Sequence, residues 1–168
     1  DINTVNLEGR KGEIVGVTGL DGNGQDDFVK ILAGVKKSSE GITEILDSNE
    51  NFIKYNSLED AKKNGISFVS GDRKKEGILP NLSIYENLVV PLYKKTSRGG
   101  VLGFVDWLEL NGIFDWEVDR LSIKTGPRDN LIGSLSGGNQ QKVMIARSFA
   151  QHPKVLILND PARGIDVS

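Results

Sequence analysis

Apolar positions along the chain fall into short continuous runs and helical stripes. Glu13-Ile14-Val15-Gly16-Val17-Thr18, Ile66-Ser67-Phe68-Val69 and Val155-Leu156-Ile157-Leu158 are compact apolar runs. That pattern predicts strands buried on both faces, as in a parallel sheet flanked by helices. Residues 42–46 form a weaker run and predict an edge or side-sheet strand. Helical spacing marks residues 25–33, where Phe28, Ile31 and Leu32 recur and Gly34 supplies a stop. Ser57-Leu58-Glu59-Asp60 predicts a short capped helix ending at Asn64-Gly65, and Ser83-Ile84-Tyr85-Glu86 has the form of a capping box. Residues 101–120 predict a partly helical stretch, with Val101, Leu102, Val105 and Leu108 at helical spacing. Residues 140–150 predict another helix, with Val143, Ala146, Phe149 and Ala150 facing inward.

Strands separated by helices define an α/β chain with a mostly parallel sheet. Residues 82–150 carry almost no strand pattern and predict a helical lobe beside a sheet core built from 1–81 and 151–168, all within one domain. Trp107, Phe114 and Trp116 are expected in the core or rim of that lobe, and an exposed tryptophan there would suit a partner contact. Residues 94–100 read as a mobile linker.

The 168 residues suffice for one domain with a core. Glycine, at 20 residues, exceeds the usual ~7%, and the excess lies in turns between apolar segments. Cysteine is absent, which excludes disulfides, thiolate zinc sites and cysteine nucleophiles. The single histidine, His152, precedes the third apolar run and reads as a solvated turn residue. With 21 basic and 23 acidic side chains, the net charge of -2 gives no reason to expect nucleic-acid binding. No apolar run approaches the ~18 residues that span a bilayer. The only methionine is Met144, the chain opens Asp1-Ile2-Asn3, and it stops in a loop, so a fragment of something longer is expected.

Gly19-Leu20-Asp21-Gly22-Asn23-Gly24-Gln25-Asp26 lies between a strand pattern and a helix. This is the setting of the phosphate loop G-x-x-x-x-G-K-[ST], whose glycines bring backbone N–H groups to phosphate at the positive end of a helix. The glycines fit and the last two positions do not. Gln25 stands where lysine would place a charge on the phosphates, and Asp26 where a hydroxyl would ligate Mg²⁺. Asp26 and Asp27 also bring carboxylates to the amides that phosphate would use. As an oxygen ligand, Asp26 would partly offset this through Mg²⁺. A glycine-rich turn without ligand is the plain alternative. A dinucleotide fingerprint would need a third glycine where Asp27 stands.

Leu135-Ser136-Gly137-Gly138-Asn139-Gln140-Gln141-Lys142 precedes a helix; Asn159-Asp160-Pro161 and Gly164-Ile165-Asp166 follow the last apolar run. Here the chain resembles the ATPase domain of ABC transporters, a P-loop NTPase fold, over essentially its whole length. The longer Leu-Ser-Gly-Gly-Asn-Gln-Gln-Lys form is similar to the sugar importers of the ribose and galactose type, whose ATPase subunit carries two such domains. Asp72-Arg73-Lys74-Lys75-Glu76-Gly77-Ile78 resembles the second of the two.

The resemblance implies ATP and Mg²⁺ as cofactors and head-to-tail packing with a second ABC ATPase domain. It also implies membrane permease subunits as partners, a sugar-binding protein indirectly, and a peripheral place on the cytoplasmic membrane face. Gly19, Asp21, Gly22, Asn23, Gly24, Gln25, Asp26 and Asp27 would form the chain's own phosphate loop. Ser136, Gly137, Gly138 and Gln140 would complete the partner's site, glycine permitting close approach of its γ-phosphate. Asp166 would couple the two sites. Asp26, Asp72 and, weakly, Asn159 would serve the metal, and Asp160 would be the catalytic carboxylate.

The family places Asp-Glu where Asn159-Asp160 stand, so Asn159 lacks the charge for the metal and Asp160 is a methylene short. Changes at Gln25, Asp26, Asn159 and Asp160 imply a degenerate own site beside an intact signature. A relic acting only as a scaffold is the competing expectation. Arg73-Lys74-Lys75 reads as a solvated turn, with a phosphate patch and a permease-facing segment as the other readings.

Overall fold

The computed structural model describes residues 5–20, 22–93, 97–98 and 104–162. The chain divides into two compact units, Asp1–Ile66 and Ser67–Ser168.

In the first unit, α1 (Gln25–Leu32) opens at Gly24, whose φ of 90° only glycine adopts without strain. Asp26 and Asp27 in its first turn and Lys30 in its last complement the helix dipole. The helix closes in a Schellman motif: the Gly34 N–H donates to the Ile31 carbonyl and the Val35 N–H to the Lys30 carbonyl, both at 2.9 Å. Gly34 has φ 71°, and a Cβ there would stand 2.5 Å from the Ser57 carbonyl oxygen. Gly34→Ala is therefore expected to destabilise the protein by about 2–4 kcal/mol, from left-handed strain plus a backbone clash. A denaturant midpoint within error of wild type would show that the Ser57 turn yields freely.

β1 (Thr43–Leu46) pairs antiparallel with β2 (Phe52–Tyr55), with Thr43 opposite Tyr55 and Leu46 opposite Phe52. The side-sheet strand expected at 42–46 is thus present. Its turn is held by Asp47, whose carboxylate accepts from the Asn49 and Asn51 N–H groups at 2.7 and 2.9 Å. The Tyr55 hydroxyl donates to the Leu32 carbonyl at 2.8 Å, tying the hairpin to α1, and burial pushes its pKa up. α2 (Leu58–Lys63) begins at Ser57, whose Oγ accepts from the Asp60 N–H, and ends at Asn64 and Gly65, as its sequence predicts.

Residues 13–18 are not a strand, and Ile14 is 97% exposed. An apolar run records what a segment tends to bury; it becomes a strand only when a neighbour accepts its N–H groups. Among the described residues, none pairs with it in a ladder.

The second unit runs through β3 (Ile66–Val69), a π-helical turn (Arg73–Gly77) and α3 (Ile84–Val89), which continues into a 3₁₀ turn (Val90–Leu92). β4 (Ser97–Arg98) and β5 (Phe104–Val105) then form a short antiparallel pair. α4 (Trp107–Arg120), a 3₁₀ turn (Ile132–Ser134), α5 (Gly137–Phe149) and β6 (Val155–Leu158) follow. β3 and β6 lie side by side. β3 is buried at Ile66, Ser67 and Val69, but β6 leaves Val155 and Leu158 exposed, so of the three apolar runs only 66–69 is buried on both faces. Part of the stretch expected as a linker, Ser97–Arg98, is strand, and Val105 belongs to its partner rather than to a helix. Leu108 does lie on α4, yet it faces solvent.

α3 shows the reciprocal capping box that Ser83 and Glu86 predict, and these hydrogen bonds hold the Glu86 carboxyl below its usual range. Its buried Asn87 is fully used. Oδ1 accepts from the Leu79 N–H at 2.8 Å, and Nδ2 donates to the carbonyls of Leu79, Leu82 and Ser83. The core joins Ile84, Leu88, Val89 and Leu92 to Leu110 and Phe114 of α4 and Val143, Ala146 and Ala150 of α5. Phe114 is therefore core, while Trp107 and Trp116 are exposed at the rim. His152 is exposed at φ 52°, the turn residue its context predicts.

One buried acid stands apart. Glu117 of α4 is 2% exposed; Oε1 accepts from Arg120 at 3.2 Å, and Oε2 has no partner. Burial raises its pKa, opposed by Arg120 and His152. A raised carboxyl means the folded state holds its proton longer than the unfolded chain. Its stabilising contribution is complete below the ordinary glutamate value and disappears as pH rises through the folded one. Glu117→Gln is expected to flatten this loss and raise the thermal midpoint at pH 8 more than at pH 4. An equal shift at both pH values would count against it.

Candidate functional site

The phosphate-type loop lies in the first unit. Gly22 and Gly24 both have positive φ, and the Asn23 N–H donates to the Leu20 carbonyl at 3.1 Å, closing a tight turn. Gln25 folds back over this turn. Its Nε2 donates to the Leu20 carbonyl at 3.0 Å, and its Oε1 lies 3.3 Å from where a Gly19 Cβ would sit. The side chain that replaces lysine is thus spent on the loop's own backbone. Asp26 pairs with Lys30 at 2.9 Å and Asp27 with Lys36 at 2.6 Å. These carboxylates therefore have cationic partners, beyond the competition with phosphate that the sequence suggests. Asp21 lies outside the described residues.

The signature lies in the second unit, at the start of α5. Ser136 is the N-cap: its Oγ accepts from the Asn139 N–H at 3.5 Å and from Asn139 Nδ2 at 3.0 Å. The helix starts at Gly137, three residues before the predicted Gln140, because Ser136 caps it. The other polar side chains of the motif make contacts within the unit. Asn139 Oδ1 accepts from the Lys124 N–H at 2.9 Å, and Lys142 Nζ donates to the Ser122 carbonyl at 3.0 Å. Gln140 Nε2 donates to the Leu135 carbonyl at 2.9 Å, so the amide expected to meet nucleotide braces the loop before Ser136. Ser136, Gly137 and Gly138 remain at a helix N-terminus suited to an anion.

The other predicted residues of this unit gather around Gly71. A Cβ on Gly71 would stand 2.8 Å from the Asn159 carbonyl oxygen and 3.4 Å from Asp160 Cβ, so only glycine lets the segment pass the end of β6. The Asn159 N–H donates to the Val69 carbonyl at 3.0 Å, extending the β3–β6 pairing. Asp160 is exposed, at φ 43°. Asp72 caps the π-helical turn, accepting from the Lys75 N–H at 3.1 Å. Asp166 lies outside the described residues. Among the described residues no three acidic or histidine side chains converge as a metal cage.

The solvated-turn reading holds for Lys74 and Lys75, which are exposed, and fails for Arg73. Its Nη1 donates to the Gly137 carbonyl at 3.0 Å. Arg147 donates to the Gly77 carbonyl, and burial lowers its pKa. Neither contact has a local sequence signal, since each joins residues 64 or more apart.

Comparison with known proteins defines the class. The ABC transporter family model matches residues 2–163. The chain belongs to the ABC transporter family, as an ATPase domain with the P-loop NTPase fold of its cassettes. It is 37% identical over 158 residues to the ribose import ATP-binding protein RbsA of Roseobacter denitrificans, covering 94% of this chain and 30% of that protein. The dimeric structure of MJ0796, a bacterial ABC transporter cassette, matches with TM-score 0.74 at 27% identity, over 96% of this chain and 66% of that one. A post-hydrolysis dimer of the same cassette, bound to ADP and Pi, matches with TM-score 0.75 over 97% of this chain and 67% of that one. The chain thus spans about a third of the curated relative and about two thirds of the solved cassettes. No helix among the described residues is long and apolar enough to cross a membrane.

Proposed function

We propose that this chain is an ATPase domain that couples ATP hydrolysis to import of a simple sugar. Its signature completes a partner domain's ATP site while its own phosphate loop is degenerate. The observation that carries this reading is the Ser136-capped start of α5, where a hydroxyl and two glycine-borne amides stand at a helix N-terminus. A pure scaffold has no use for such a cradle.

In this reading the domain packs head to tail on a second ABC ATPase domain and works with permease subunits at the cytoplasmic membrane face. A sugar-binding protein delivers the cargo. The Asp72–Ile78 segment supports its assignment as the second of two ATPase domains in one subunit, and residues 82–150 serve as its helical lobe. Exposed Trp107 and Trp116 on α4 offer a rim for the permease.

Mg²⁺ arrives with ATP as substrate, and the chain's own residues suit it poorly. Asp26 is paired with Lys30, and Asn159 brings no charge. Asp160 would act on the attacking water only weakly, being short and exposed. A second reading, a docking module without catalysis at its own loop, is favoured by Gln25 lying against Leu20. The separating test is ATP turnover of the complete transporter after Ser136→Arg. Turnover falls if the signature acts in trans and survives if the domain only docks.

A further inference from the structure

Gly137 is read from sequence as a place where phosphate needs room. The structure puts something else against it. A Cβ on Gly137 would lie 2.9 Å from Arg73 Nη2, 3.2 Å from Nη1 and 3.3 Å from Cζ, so the guanidinium rests on the bare Cα. The same group donates from Nη1 to the Gly137 carbonyl, while its buried Nε has no hydrogen-bond partner.

For stability alone this is a poor arrangement. A permanent cation stands at the positive end of α5, against the helix dipole, with one donor unused. Its mount is nonetheless firm. Asp72 caps the π-helical turn that carries it, and the Ser70 hydroxyl donates to Glu76 at 2.6 Å. At the other end of the turn, Arg147 of α5 holds the Gly77 carbonyl, and the side chain of Met144 fills the space beside Gly77.

We infer that Arg73 is a positioning residue for the signature, holding the first turn of α5 in the pose that receives a nucleotide phosphate from the partner domain. This rests on the proposed function. Its positive charge adds to the field of the amides of that turn at the one point where an anion arrives, which explains a cation placed where the isolated fold gains little from it. Gly137 is then glycine because Arg73 occupies the space of its side chain.

The test uses the complete transporter, with Mg·ATP as probe. Arg73→Met removes the charge and every guanidinium donor at similar length, and Arg73→Lys keeps the charge and an ammonium donor without the planar fork. Gly137→Ala displaces the guanidinium while leaving it in the chain. Expected is a fall in kcat of about 10-fold or more for Arg73→Met, with KM for ATP within about 3-fold and the thermal midpoint unchanged or higher. Arg73→Lys should recover part of kcat, and Gly137→Ala combined with Arg73→Met should cost no more than either alone. Unchanged kcat overturns the inference, as does a loss of kcat matched by a lower thermal midpoint, which marks a merely structural arginine. Should Arg73→Met fail to fold, Arg73→Lys carries the same decision through kcat against midpoint. If Ser136→Arg leaves turnover intact, the proposed function itself fails. If Ser136→Arg abolishes turnover and Arg73→Met does not reduce it, only this inference fails.

Discussion

Ser136→Arg is expected to lower ATP turnover of the complete transporter by at least about 100-fold, at a cost of about 1 kcal/mol in the domain's own stability. Three losses act together at one point. The hydroxyl proposed to face the partner's phosphate disappears, and removal of one preorganised donor of this kind costs about 10²–10³ in kcat elsewhere. The N-cap goes with it: Ser136 Oγ accepts from Asn139 at both its N–H and Nδ2, and loss of a cap costs about 1 kcal/mol. A long side chain also projects into a surface where two bodies must close to hydrogen-bond distance, and a misplacement of 1 Å suffices for a 10²-fold loss. Ser136→Thr keeps the oxygen and the cap and serves as the control, retaining much of the turnover. Equal turnover for Ser136→Arg and wild type would remove the trans-acting role and leave the docking reading.

Local features were legible in the sequence and distant ones were not, and the boundary follows the physics. Gly34, Ser57 and Ser83 each end or start a helix through hydrogen bonds to residues about three positions away, so a short window holds their whole cause; Ser136 caps α5 by the same local geometry, although helical spacing places that start at Gln140. The run at 13–18 has a strand's composition, but a strand needs a second segment, and composition is silent on whether one pairs. β6 shows the same limit: its four apolar residues predict burial, yet its ends are exposed. At the signature, the motif located the anion-type helix start. It did not reveal that Asn139, Gln140 and Lys142 hold backbone carbonyls and amides in place, because a side-chain amide reads alike whether it faces a ligand or a loop. Arg73 was hidden for a further reason. Beside Lys74 and Lys75 it reads as one of three solvated cations, and only the 64-residue contact with Gly137 separates it from them. Gly71 lacked a signal too, since its need for glycine comes from the Asn159 backbone.

Restoring the phosphate loop is the second large effect. Gln25→Lys/Asp26→Ser is expected to raise affinity for Mg·ATP by about 10- to 100-fold, measured by calorimetric titration of the two proteins side by side. The lysine contributes a charge-assisted hydrogen bond of roughly 1.5–3 kcal/mol where the glutamine contributes none to the ligand, its Nε2 being held by the Leu20 carbonyl. Removing Asp26 takes a negative charge from the amides of the first turn and supplies a hydroxyl for the metal. It also breaks the 2.9 Å pair of Asp26 with Lys30, which is partly exposed and so worth about 0–1 kcal/mol, too little to offset the gain. The single changes separate the terms. Gln25→Lys alone should give most of the increase, and Asp26→Ser alone less, because Gln25 would still cross the turn. Micromolar binding by the unaltered chain would mean that loop amides and Mg²⁺ suffice without lysine, and the degenerate-site reading would fall. Absence of binding in both proteins, with the fold intact by circular dichroism, would place the defect outside Gln25 and Asp26.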